Sequence, residues 1–142
     1  MKNLGILLTN NYRLLSVAAM IDVFQSANSF CNKENKPEAF NIYLISNNPS
    51  TTSLNELPVF ATDKVPKPDI ILIPAFNTEK MEENIGKNLG YINWLKLQYN
   101  AGCEIASFCT GAFLLASTGL LTNIRATTHV QAAEKFKEAF PA

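Results

Sequence analysis

Among the residues of this chain, those best able to do chemistry lie in Ile105-Ala106-Ser107-Phe108-Cys109-Thr110-Gly111-Ala112-Phe113. An apolar run passes straight into a helical pattern through small–x–nucleophile–x–Gly. That is the layout of a nucleophile elbow, with cysteine in place of serine. Ser107 and Gly111 are small enough for the backbone to turn sharply and push the Cys109 side chain into a cleft. The sulfur would then sit at a helix N-terminus, where the dipole favours a thiolate. The alternative is a buried structural cysteine, as most free cysteines are. The strand–turn–helix context favours the elbow. Cys103 and Cys31 lack that context. His129 is the sole histidine, in Arg125-Ala126-Thr127-Thr128-His129, and so the only imidazole that could act as base to Cys109. Two threonines before it and a helical pattern after it make helix capping an equal reading. One histidine and three scattered cysteines show no metal-ligand spacing, and no G-x-G-x-x-G or Walker loop is present. No metal or cofactor is expected.

Positioning a nucleophile at such a turn requires a strand-then-helix scaffold, and the patterning supplies one. Leu4–Leu8, Phe40–Ser46, Ile70–Ile73 and Glu104–Ser107 read as buried strands, with Leu57–Ala61 a possible edge strand. Val17, Ile21, Phe24 and Ala27 mark an amphipathic helix over Leu14–Phe30. Ile85, Leu89, Ile92, Leu95 and Tyr99 mark a second helix, closed by Gly102. Gly111–Ser117 is a short apolar helix ending at Gly119, and Val130–Phe140 is the last helix. Strands alternating with helices predict a mainly parallel α/β sheet with helices on both faces. Ligands of such sheets bind at the carboxyl ends of the strands, so Thr9, Pro74 and Cys109 are expected to converge.

A length of 142 residues allows one domain, residues 1–142, and 47% hydrophobic residues allow a sizeable core. Twelve basic residues balance twelve acidic ones. Without a net positive charge or a Lys/Arg cluster, direct nucleic-acid binding is not expected. Charged residues are only 17%, which points to apolar surface meeting a partner or a further segment. Contiguous apolar runs such as Ile70–Pro74 fall far short of the ~20 residues that span a bilayer, so no membrane partner is expected. No signal peptide is apparent, and an odd number of cysteines suits a reduced, cytoplasmic setting.

Ser107-Phe108-Cys109-Thr110-Gly111-Ala112-Phe113-Leu114-Leu115-Ala116, followed by Gly119-Leu120-Leu121 and Arg125-Ala126-Thr127-Thr128-His129, closely resembles the DJ-1/PfpI (ThiJ) superfamily. The match is to the class I glutamine-amidotransferase-like domain at the N-terminus of many AraC/XylS-type transcriptional regulators. Val23-Phe24-Gln25-Ser26-Ala27-Asn28 and Phe136–Pro141 fit the same branch. The resemblance implies a flavodoxin-like three-layer α/β/α sandwich, commonly dimeric, with Cys109 at the elbow and His129 beside it. It also implies three departures. Superfamily enzymes carry an acid near the cysteine where this chain has Ser16, and Asp22 is a poor substitute. Their loop after the third strand has glycine after proline, where this chain reads Pro74-Ala75-Phe76, so Phe76 is expected to crowd an oxyanion site. The family domain continues past Pro141, and regulators add a helix-turn-helix, so the chain looks truncated at its C-terminus.

Two function classes lead, with an inert structural or dimerisation module as a third, weaker reading. One is a sensor of a small metabolite, belonging to or descended from a transcriptional regulator and reaching DNA only through a helix-turn-helix absent here. The other is a cysteine-dependent enzyme acting on an amide, isonitrile or aldehyde, with Cys109 as nucleophile and His129 as acid/base. The residues expected to contact ligand are Thr9, Ser16, Pro74, Ala75, Phe76, Cys109, Thr110 and His129, and the missing acid and altered loop favour the sensor.

Overall fold

In the computed structural model, which describes residues 1–141, five strands form one sheet in the order β3-β2-β1-β4-β5. They are β1 (Lys2–Leu7), β2 (Phe40–Ile45), β3 (Val59–Phe60), β4 (Ile70–Ile73) and β5 (Glu104–Ser107). Every pairing is parallel, with Leu4 opposite Ile42 and Ile70, and Ile73 opposite Ser107. Parallel strands need crossovers, and here those crossovers place helices on both faces.

Alternation along β1 explains its nearly continuous apolar run. Leu4, Ile6 and Leu8 face one layer, with Val17, Met20 and Ile21 of α1 (Leu14–Lys33) packed on them. Leu7, with Ile45, Ile71 and Ile73, faces the other layer, which holds Leu95 of α3 (Ile92–Asn100) and Phe113 and Leu114 of α4 (Gly111–Ser117). A strand buried on both faces cannot afford polar residues on either.

Three elements differ from the sequence reading. The second helix is not continuous. It is α2 (Met81–Asn88), a 3₁₀ turn at Leu89–Tyr91, then α3. Asn88, fully buried, causes the break: its Oδ1 accepts from the Asn10 N–H at 2.7 Å and its Nδ2 donates to the Asn84 carbonyl at 2.7 Å. Anchoring the side chain to the loop after β1 outweighs helical periodicity at this point. Next, β5 is an edge strand with alternating exposed and half-buried residues, not a buried one. Its side chains Glu104 and Ala106 lie exposed. Last, the final helix begins as a 3₁₀ turn at Val130–Ala132 and continues as α5 (Ala133–Ala139), where Phe136 meets Phe113 edge-on at 5.1 Å.

The 20-residue α1 is also long and apolar enough to cross a membrane by length and composition, with a mean hydropathy of 1.3. Contiguous runs hid this, because Ser16, Asp22, Gln25 and Asn28 interrupt them. In the fold α1 lies on the sheet, and Asn28 bonds both backbone groups of Phe40 at 2.7 and 3.0 Å.

Candidate functional site

Local backbone geometry creates the site. The Phe108 N–H donates to the Ile73 carbonyl at 2.9 Å, carrying the β4–β5 ladder one residue past the strand. Cys109 then adopts φ +54°, and α4 begins two residues later. Of the seven non-glycine residues with positive φ among the described residues, four are asparagine, which tolerates that region; Cys109 lacks that tolerance. The surroundings impose the conformation. A Cβ on Gly111 would lie 2.6 Å from the Pro74 carbonyl oxygen and 2.7 Å from that of Ile73, so the chain can turn here only with glycine. Thr128 Oγ1 donates to the Cys109 carbonyl at 3.0 Å.

Thr110 binds the neighbouring loop. Its buried hydroxyl donates to the Phe76 carbonyl at 2.9 Å and accepts from the Phe76 N–H at 3.0 Å. Ser16 Oγ accepts from the Ala75 N–H at 3.0 Å, and the Arg13 N–H donates to the Ala75 carbonyl at 2.8 Å. The loop after β4 is thus sewn to α1 on one side and to the cysteine turn on the other. Ser16, at the position of the expected acid, serves as one of those stitches.

Cys109 is exposed and lines a cleft of about 620 Å³ with Arg13, Thr78, Met81, Thr110, His129, Gln131, Ala132 and Lys135. Of the expected contact residues, Cys109, Thr110 and His129 meet there. Pro74, Ala75 and Ser16 stand behind it as framework. The Phe76 side chain is fully buried in the core, so it does not crowd the cleft as the sequence reading expected. Thr9 lines a different pocket, with Ser46 and Tyr91. Asp22 faces a groove on the outside of α1 with Leu15 and Leu54.

His129 shares the cleft with Cys109, yet no hydrogen bond joins them among the described residues. Its Nδ1 accepts from the Gln131 N–H at 3.2 Å and so caps the 3₁₀ turn. A neutral ring with Nδ1 occupied carries its proton on Nε2 and presents a donor, not a base. The lining has two cations, Arg13 and Lys135, and no acid. Sequence reasoning missed both cations. The only signal was that Arg13 lies on the same β1–α1 turn as Thr9, and Lys135 within reach of the His129 segment.

Cys103 differs in every respect. It is buried on the core side of the sheet, its Sγ donates to the Glu104 carbonyl at 3.3 Å, and burial, with Asp69 and Glu104 nearby, pushes its pKa up to about 11.

The DJ-1/PfpI family model matches residues 6–140. The chain belongs to the DJ-1/PfpI family. Within that family it resembles N-terminal domains of AraC-type regulators. It is 23% identical over 144 residues to the HTH-type transcriptional regulator GbdR of Pseudomonas aeruginosa, covering 99% of this chain and 37% of that protein. An AraC family transcriptional regulator from Pseudomonas putida superposes with a TM-score of 0.73 at 13% identity, covering 99% of this chain and 74% of the other. A DJ-1 superfamily protein from Agrobacterium tumefaciens superposes at 0.71 with 18% identity, covering 100% and 70% respectively. This DJ-1/PfpI chain therefore spans little more than a third of its curated relative.

Proposed function

We propose that this DJ-1/PfpI domain is the sensing part of an AraC-type regulator, binding a small anionic metabolite in the Cys109 cleft without turning it over. The observation that carries the reading is the loop after β4. Its Ala75 and Phe76 amides are already bonded to Ser16 Oγ and Thr110 Oγ1, so neither is free to stabilise an oxyanion. One such donor contributes about 2.7–4 kcal/mol to transition-state stabilisation. His129 is held as a cap, and no carboxylate lines the cleft to orient or recharge it. Arg13 and Lys135 supply attraction for an anion instead. The reading includes a cytoplasmic setting, to which three free cysteines are suited, and a homodimer, and it assigns DNA contact to a helix-turn-helix part outside these residues.

Purified protein is expected to turn over model amides, isonitriles and methylglyoxal no faster than Cys109→Ala. Metabolite binding is expected to stabilise it by about 2.7 kcal/mol at a hundred times the dissociation constant. Turnover that depends on both Cys109 and His129 overturns the sensor. It would favour the second reading, a cysteine-dependent enzyme, whose one supporting observation is the left-handed, exposed Cys109.

A further inference from the structure

The Cys109 cleft gathers an unbalanced set of charges around the chain's sole histidine. Arg13 comes from the turn before α1 and Lys135 from α5, and neither forms a salt bridge among the described residues. Acids on the flanking elements are engaged or line another pocket. Glu134 pairs with Lys137 at 2.9 Å, while Glu79 and Glu83 line the pocket on the other side of Arg13, where Glu83 binds Lys87 at 2.8 Å. Cys109 is the remaining titratable group in the lining. The cap ties His129 to one protonation state. The Gln131 N–H uses the Nδ1 lone pair at 3.2 Å, and a proton on Nδ1 removes that acceptor. Protonation therefore releases the cap of the 3₁₀ turn at Val130–Ala132 and adds a third positive charge to the lining. An anion in the cleft attracts that charge and offsets the lost cap, so anion and ring charge favour each other.

We propose that anion binding in the Cys109 cleft is linked to proton uptake by His129, so that the site reads the anion and pH together. The proposal rests on the anion-sensing reading of this cleft and adds its regulation. The proton comes from solvent and goes to Nδ1. The Gln131 N–H gives up that acceptor, and the ring then donates from both nitrogens. Imidazole is the side chain whose charge ordinarily changes between about pH 5 and pH 8, so the linkage operates near neutrality. It is also reciprocal: the factor by which a proton tightens the anion is the factor by which the anion tightens the proton.

Sulfate is the probe, because its own charge does not change near neutral pH, with sodium chloride of equal ionic strength as the control. A single histidine makes the readout unambiguous, since long-range ¹H–¹⁵N spectra of the labelled chain report the tautomer and charge of one ring. Sulfate is expected to shift the Gln131 and Lys135 amides and to bind about fivefold more tightly at about pH 5.5 than at about pH 8. Saturating sulfate should move the ring's titration to higher pH by the matching factor. His129→Asn keeps a cap acceptor without a titrating ring, and should bind sulfate equally at both pH values. Cys109→Ser should retain the pH dependence. Equal sulfate binding by the parent at both pH values, a ring titration unmoved by sulfate, or pH dependence that survives in His129→Asn or disappears in Cys109→Ser would each overturn the proposal while leaving the anion-binding cleft in place. Failure of sulfate to bind at either pH would overturn the anion site and the proposal together.

Discussion

At the scale of single residues, reactivity is decided by placement. Cys109 and Cys103 lie six positions apart on either side of β5, yet the first is exposed in a cleft and the second is sealed under the sheet. A thiol reacts as the thiolate, so one held at a pKa of about 11 is inert at neutral pH. Limiting iodoacetamide at neutral pH should therefore alkylate Cys109 first and leave Cys103 unmodified, read by peptide mass spectrometry. Modification of Cys103 ahead of Cys109 would show that the sheet opens readily. Cys31, half-buried near the end of α1, should fall between them.

Elements are pinned by buried polar groups as much as by apolar faces. The Asn84–Asn88 pair holds α2 against the loop after β1: Asn11 Nδ2 donates to Asn84 Oδ1, and Asn88 reaches both Asn10 backbone groups. Asn88→Ala would leave the Asn10 N–H and the Asn84 carbonyl without these partners and open a small void. A loss of about 2–4 kcal/mol is expected, measured as a fall in urea midpoint at constant slope. A loss below about 0.5 kcal/mol would mean that water replaces the amide and that the helix break has another cause.

At the scale of the whole molecule, two buried acids are expected to draw stability down at alkaline pH. Burial raises Tyr43 from 10.0 to about 12, and its hydroxyl donates to the Pro66 carbonyl at 3.0 Å. Cys103 rises from 9.0 to about 11. In both cases the unfolded chain releases its proton first. The stabilising contribution is complete below the unfolded value and is lost as pH climbs through the folded one. Stability should be level up to about pH 9 and then fall between pH 9 and pH 12. Cys103 accounts for roughly 2 kcal/mol of that fall. Cys103→Ala should flatten the lower part of the decline in denaturant melts taken at each pH, and an unchanged profile would remove Cys103 as its cause.

The four main strands, the helix α1 and the turn at Cys109 were all legible in the sequence, because each depends on local information. Period-two and period-3.6 patterning is written residue by residue, and Gly111 two places after Cys109 marks a turn that no larger side chain permits. The membership of the cleft was not legible. Arg13 and Lys135 are 122 positions apart, and only the crossover of α1 and the placing of α5 beside α4 bring them to one opening. Hydrogen bonding was equally hidden. Nothing in the order of residues says that Ser16 would occupy the Ala75 amide, that His129 would spend its Nδ1 on Gln131, or that Thr9 would be left without a partner in a pocket of its own. A side chain's chemistry depends on which groups already satisfy it, and that is settled only when distant segments pack.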